Sequence, residues 1–452
     1  MGLITKILIL VLTVGTAYVG LKICQPDPVP VVEDEYWGPK SDQGKKEDSS
    51  IRPFKIDIPA ATLDDLKGRL KRELDSNRLV SPLEGVGFEY GFNSKFLKTV
   101  GNHWLSKYDW KVREKLLNKY PHFKTKIGGL DIHFQHVKPK AKNGVAPRPL
   151  LLIHGWPGSI VEFQKIIPLL SEPKNSKYNY ELVIPSLPGY GFSDPAARRG
   201  LSTTEMGNIF KRLMKRLGHE KFYVMGGDWG AMITMDMASV YPGNVIAAQS
   251  NMCSSISTGL THVRYILATL LPTFLMTPEE TKVVLPYSKL ISDLFRESGY
   301  AHIHMTKPDT VGVALTHSPL GLAAYILEKF STWTDKSWMN REDGGILENF
   351  TMDELLDNVM VYWVTGSMTS SQRLYAEAMD PAKKHKLDRV PTEVPFSCQF
   401  MPNEIIVQPR FSLVDKLKNI QRYSISPKGG HFGAFEAPEV VAEDAITHFE
   451  KF

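Results

Sequence analysis

An aspartate stands at the apex of Phe222-Tyr223-Val224-Met225-Gly226-Gly227-Asp228-Trp229-Gly230, where a short apolar run passes through glycines into a helix-forming run, Ala231 to Tyr241. Strand, sharp turn and helix form the setting of a nucleophile elbow, which usually carries serine in G-x-S-x-G. Asp228 changes the chemistry. Serine attacking an alkyl carbon would be left as a stable ether. A carboxylate attacking the same carbon forms an ester whose carbonyl belongs to the protein, and water can hydrolyse it to regenerate the aspartate. Asp228 therefore points to substrates with an electrophilic sp³ carbon, either an epoxide or an alkyl halide. The competing interpretation is an ordinary glycine turn in which Asp228 is only a helix N-cap.

Hydrolysis of such an ester needs an oxyanion site, a base and an acid to orient the base. Leu150-Leu151-Leu152-Ile153-His154-Gly155-Trp156-Pro157-Gly158 ends an apolar run in a glycine-bearing loop. In elbow hydrolases such a loop supplies one backbone N–H and the residue after the nucleophile supplies the other. The expected donors are Trp156 and Trp229, with His154 bracing the loop. Val183 to Ser193 is a second strand end running into a Pro/Gly turn and carries no assigned chemistry. Near the C-terminus, Lys428-Gly429-Gly430-His431-Phe432-Gly433-Ala434-Phe435-Glu436 puts a histidine after two glycines, in the chain order nucleophile, acid, histidine. His431 is the expected general base. Glu404, just past the strand-like run Phe396 to Met401, fits the acid, with Asp415 and Glu393 as competitors.

These segments, with others, resemble the microsomal epoxide hydrolases, including the insect juvenile hormone epoxide hydrolases. The likeness runs from about Tyr36 to the C-terminus. It includes Ser50-Ile51-Arg52-Pro53-Phe54, Tyr90-Gly91-Phe92-Asn93, Tyr120-Pro121-His122-Phe123-Lys124-Thr125, Glu297-Ser298-Gly299-Tyr300, Thr306-Lys307-Pro308-Asp309-Thr310 and Ser371-Gln372-Arg373-Leu374-Tyr375. The resemblance implies an α/β-hydrolase fold with an inserted helical cap. It also implies Asp228 as nucleophile, His431 as base and Glu404 as its acid. It adds two cap tyrosines, Tyr300 and Tyr375, whose phenols would protonate the epoxide oxygen. A lipophilic epoxide and water are the implied reactants, with no cofactor. The nearest alternative, a haloalkane dehalogenase, would use the same aspartate and could cradle halide between Trp156 and Trp229. The tyrosines argue against it, because a leaving halide needs no proton. A catalytically silent lipid carrier on the same scaffold is disfavoured by the complete residue set.

Positioning these residues takes several kinds of segment. Residues 1–24 hold an apolar run, Leu3 to Ile23, that can just span a bilayer at about 20 residues and reads as a retained anchor rather than a cleaved signal. Lys6 and Lys22 flank it almost symmetrically, so charge sets no orientation. The resemblance implies a single-pass protein of the endoplasmic reticulum membrane with its catalytic part in the cytosol. Residues 25–50 read as a linker, 51–146 as an N-terminal region wrapping the core, and 147–252 as the first part of the α/β core. Residues 253–384 read as the helical cap and 385–452 as the second part of the core. Three cysteines, Cys24, Cys253 and Cys398, imply no disulfide framework and suit a reducing compartment. The sequon at Asn349-Phe350-Thr351 would go unused there. A net charge of +5 over 452 residues, with scattered basic residues, gives no nucleic-acid footprint. The pairs His302/His304 and His133/His136 lack a third ligand in sequence and read as structural, so no metal is expected.

Overall fold

Runs such as Leu150-Leu151-Leu152-Ile153 and Phe222-Tyr223-Val224-Met225 are apolar at every position because the strands they form are covered on both faces. In the computed structural model, which describes residues 25–452 apart from Asn77, Asn143 and 256–258, nine strands join in one sheet. They are β1 (Arg52–Phe54), β2 (His122–Ile127), β3 (Leu130–Val137), β4 (Arg148–Ile153), β5 (Tyr180–Pro185), β6 (Phe222–Gly226), β7 (Val245–Ser250), β8 (Phe396–Phe400) and β9 (Ile420–Ile425). Their spatial order is β1-β2-β3-β5-β4-β6-β7-β8-β9. The pairs β1–β2, β2–β3 and β3–β5 are antiparallel, and every pair from β5 through β4 to β9 is parallel.

Alternate side chains of the central strands feed two cores. Leu151 and Ile153 of β4 and Val224 of β6 pack with helices Thr203–Arg216 and Trp229–Val240 on one face. Leu150 and Leu152, with Tyr223 and Met225, pack on the other face with Ile167, Val441, Ala445 and Phe449.

The segment expected to wrap the core does two jobs. Its strands β1, β2 and β3 extend the sheet, with β2 and β3 joined by Gly128-Gly129 at φ 60° and 80°, the left-handed conformation of a tight hairpin turn. Its helices Ala60–Asp75, Ser94–Ser106 and Trp110–Leu117 brace the cap instead. Arg113 and Tyr108 both bond Asp357 of the cap, at 2.6 and 2.8 Å, and His103 meets Asp353 at 2.7 Å. The expected linker, 25–50, is strapped to the core: Trp37 is buried and its backbone bonds Gly128 and Ala197.

Between β7 and β8 the chain is helical, as expected of a cap, and its helices include Gly259–Leu270, Gly299–Thr306, Met352–Thr365 and Met368–Met379. One expectation is overturned here. Cys253 and Cys398 form a disulfide, with Cα atoms 5.7 Å apart and 145 residues between them in the chain. Cys398 lies in β8, paired beside Ser250 of β7, and Cys253 sits just past the end of β7. Sheet pairing therefore brings together two cysteines that sequence distance hid. The cysteine argument for a reducing compartment falls with that expectation. The anchor assigned to residues 1–24 lies outside the described residues. Among the described residues no helix is long and apolar enough to cross a membrane.

Candidate active site

Asp228 follows β6 directly and has φ 51°, the only positive φ at a non-glycine residue among those described. An L-residue adopts this strained conformation when its surroundings impose it, often at a functional site. Glycine neighbours allow the turn. A Cβ on Gly226 would lie 2.3 Å from the Gly230 carbonyl oxygen, and one on Gly230 would lie 2.0 Å from that of Ile153. Asp228 holds the N-cap position of helix Trp229–Val240 but its side chain makes no capping bond. Its Oδ1 instead accepts the backbone N–H of Trp156 at 2.7 Å. The geometry thus departs from the plain N-cap alternative.

The loop that carries Trp156 is pinned from the cap. Asn358 donates to Pro157 O at 2.7 Å and accepts from Ser159 Oγ at 2.7 Å, and Tyr362 OH donates to Gly158 O at 2.7 Å. His154 braces the loop as expected. Its Nε2 accepts the Leu187 N–H at 3.2 Å and its Nδ1 lies 3.0 Å from Gly155 O, so Nδ1 carries the proton. Burial pulls its pKa down to about 4, so it stays neutral. Trp229 lines the site, and its backbone N–H makes no hydrogen bond to Asp228 among the described residues.

His431 Nε2 lies 3.4 Å from Asp228 Oδ2, and its Nδ1 lies 2.8 Å from Glu404 Oε1. Glu404 is fully buried, and its Oε1 also accepts the N–H of Ile405 at 2.7 Å. The competitors are elsewhere. Asp415 bonds Arg264 and Thr261 at about 3.0 Å, and Glu393 is exposed. Burial alone would push the His431 pKa down, but the Glu404 and Asp228 carboxylates outweigh it and hold the imidazole well above its usual range. The His431 loop is fixed by Glu436, which accepts the N–H groups of Gly430 and Phe432, both at 2.8 Å. Gly430 is required there, since a Cβ would meet the Trp333 carbonyl oxygen at 2.2 Å. Glu436 carried no expected role, because nothing local marks a carboxylate that serves the backbone on either side of a histidine.

The cap brings Tyr300, from helix Gly299–Thr306, and Tyr375, from helix Met368–Met379, to face Asp228 with hydroxyl oxygens 3.4 Å apart. Tyr300 stacks on Trp156 at 5.0 Å, and Tyr375 stands edge-on to Trp229 at 4.7 Å. Burial and the Asp228 charge raise the Tyr300 pKa, and burial and Tyr300 raise that of Tyr375, so both remain proton donors. Asp228, Trp229 and the two tyrosines line a cavity of ≈ 410 Å³ whose walls include Met232, Met252, Met305 and Ile405. That is the size of a site for a small lipophilic molecule. Asp228 and His431 also line a second cavity of ≈ 20 Å³, with Glu162 and Asn251. Neither Glu162 nor Asn251 carried an expected role, since their distance from the elbow in sequence gives no sign of their place beside it.

The histidine pairs are not joined as pairs. His133 bonds Ser186 and His122, whereas His136, three residues on, meets Glu181 at 2.6 Å. His302 is exposed and His304 bonds Tyr325 at 2.9 Å. Among the described residues one group, His136, Glu181 and His219, has metal-like spacing. There Glu181 is already engaged by both imidazoles and by Lys138 at 3.5 Å.

Known proteins resemble this chain along most of its length. Residues 51–163 match the family model described as the epoxide hydrolase N terminus, and residues 148–391 match that of the alpha/beta hydrolase fold. The chain is 46% identical to juvenile hormone epoxide hydrolase 1 of Ctenocephalides felis, over 100% of this chain and 97% of that protein. It is 45% identical to epoxide hydrolase 1 of Oryctolagus cuniculus, over 91% of each. The crystal structure of juvenile hormone epoxide hydrolase from Bombyx mori superposes with a TM-score of 0.90 at 44% identity, covering 93% of this chain and 99% of that one. An α/β-hydrolase core with a carboxylate elbow, and likeness over nearly the whole length of these relatives, make this chain a member of the epoxide hydrolase family.

Proposed function

We propose that this protein converts lipophilic epoxides to vicinal diols through an ester on Asp228. The observation that carries the reading is the carboxylate itself: one oxygen rests on the Trp156 N–H, while the group faces two phenols on one side and a His–Glu pair on the other. Asp228 Oδ2 attacks an epoxide carbon, and the C–O bond of the ring breaks. The alkoxide takes a proton from Tyr300 or Tyr375, whose unperturbed pKa near 10 already keeps them protonated at neutral pH. Water then attacks Asp228 Cγ and gives its proton to His431, which Glu404 orients. The oxyanion forms at Oδ1, beside the Trp156 N–H and on the side of Trp229. Collapse breaks the bond between Cγ and the alkyl oxygen, the diol leaves with its proton from His431, and the proton left on the regenerated Asp228 carboxyl returns to the phenolate.

A single turnover in heavy-oxygen water tests the route. The expected diol is unlabelled, because its new oxygen comes from Asp228, and the label appears in the protein. Label in the first-turnover diol would rule the ester out. Asp228→Ala is expected to lose turnover altogether.

Halide chemistry has one observation in its favour, since the indole N–H groups of Trp156 and Trp229 are buried without a hydrogen-bond partner among the described residues. The two phenols weigh against it, because a departing halide needs no proton. Chloride release from a chloroalkane without diol formation would reverse the choice. Within epoxides, the methionine-rich cavity suits a flexible lipophilic chain, and four relatives are named for juvenile hormone. Faster diol formation from juvenile hormone than from styrene oxide is the expected outcome of comparing the two. We also propose that residues 1–24 anchor the protein in the endoplasmic reticulum membrane with its catalytic part in the cytosol. The apolar run Leu3 to Ile23 supports the anchor, and a lipophilic substrate would reach such a site from the bilayer.

A further inference from the structure

Asp228 is the one residue common to the walls of two cavities. The larger, ≈ 410 Å³, holds Tyr300 and Tyr375 but not His431. The smaller, ≈ 20 Å³, holds His431 and Trp156 but neither tyrosine. About 10–15 Å³ is enough for one water molecule, so the smaller cavity has room for one and not for a substrate.

Its lining is polar where a water would need partners. Glu162 and Asn251 both reach it, and among the described residues neither side chain makes a hydrogen bond to another protein group. Elsewhere in the interior, buried carboxylates such as Glu404, Glu436 and Asp357 are bonded. Glu162 and Asn251 therefore keep donor and acceptor capacity beside the nucleophile that a water in this cavity can satisfy. Glycines make room for both. A Cβ on Gly158 would lie 2.1 Å from Glu162 Oε2. On Gly227 it would lie 2.5 Å from Asn251 Oδ1, and on Gly433 it would lie 2.9 Å from Asn251 Nδ2.

We propose that this small cavity seats the water that hydrolyses the Asp228 ester, and that Glu162, aided by Asn251, is its positioning residue. This rests on the ester route proposed above. The water reaches Cγ from the His431 side while the alkyl group still fills the larger cavity, so the two steps use opposite sides of one carboxylate. The water oxygen bonds to Cγ and its proton passes to His431 Nε2. Glu162 neither gains nor loses a proton. Burial and the neighbouring Asp228 charge hold its carboxyl well above the usual carboxylate range, and a carboxyl oxygen beside the water can take part in its hydrogen bonding in either form.

Rapid-quench intact-protein mass spectrometry with styrene oxide separates ester formation from ester decay. In Glu162→Leu the ester is expected to form at the wild-type rate and decay about tenfold more slowly, the cost of one lost hydrogen bond to a reacting water. KM should then fall along with kcat. Glu162→Gln, which keeps a side chain able to hydrogen-bond the water, should restore decay to near wild type. Wild-type decay in Glu162→Leu would overturn the proposal. So would an equal slowing of formation and decay, which marks a merely structural role, or a Gln variant as slow as the Leu variant. If the wild-type protein, and a His431→Gln variant that should trap the ester, never show the added mass, the Asp228 route itself fails, whatever Glu162 does.

Discussion

A general base must be neutral when it acts, yet His431 sits between two carboxylates that keep it protonated. The proposed reaction order resolves this. Esterification removes the charge on Asp228, and with it one of the two groups that raise the His431 pKa. Burial, which favours the neutral ring, then counts for more. The pKa of His431 should therefore fall when the ester forms, releasing a base for the second step only. We predict that ester decay, followed against pH, is governed by an ionisation at least about one unit below that of His431 in the free enzyme. NMR titration of the imidazole nitrogens gives the free value and single-turnover quench gives the other. Equal values would mean that Asp228 keeps its charge through the reaction. At this scale the sequence was informative where chemistry depends on residue type in a turn: Asp228 and His431 both carry glycine flanks. Glu404 was one of three acids until burial and a 2.8 Å contact separated it from Asp415 and Glu393. Tyr300 and Tyr375 were legible only through family likeness, because nothing in the spacing of two tyrosines marks hydroxyls that meet across two helices.

Among the elements, the elbow depends on close approach of backbones more than on any side chain. Helix Trp229–Val240 starts so near β4 that Gly230 has no room for a methyl group against the Ile153 carbonyl oxygen. Gly230 is helix backbone and the Ile153 oxygen is strand backbone, so neither can swing aside. Gly230→Ala should therefore cost about 1–3 kcal/mol by overpacking. Gly243→Ala, where the added carbon would meet nothing within 4 Å, should stay within about 0.5 kcal/mol. Chemical denaturation of both variants tests the pair, and similar stabilities would mean that the elbow relaxes without cost. The strands that carry the elbow and the oxyanion loop were legible because burial on both faces writes an unbroken apolar run. The joining of β3 to β5, and the Cys253–Cys398 bond, were not. Both follow from which strand lies beside which, a non-local outcome that no window of residues contains.

At the scale of the whole molecule, the proposed anchor raises the side of the membrane that the domain would face. The disulfide withdraws the support that sparse cysteines lent to the cytosol, since such bonds are uncommon there. It does not by itself argue for the lumen. Both sulfurs belong to fully buried residues, and thiol exchange requires an attacking thiolate to reach one of them. While the domain stays folded the bond is shielded in either compartment. Asn349 is a better reporter. It is exposed, in a turn just before helix Met352–Thr365, within Asn349-Phe350-Thr351. A transferase in the lumen could modify it before Phe350 packs into the core, and a cytosolic domain never meets that enzyme. The full chain, expressed in insect cells and recovered in the membrane fraction after a high-salt wash, is expected to carry no glycan. Its mass should not change on endoglycosidase treatment. A shift that disappears in Asn349→Gln would put the catalytic domain in the lumen, where lipophilic epoxides would have to reach it from the opposite leaflet.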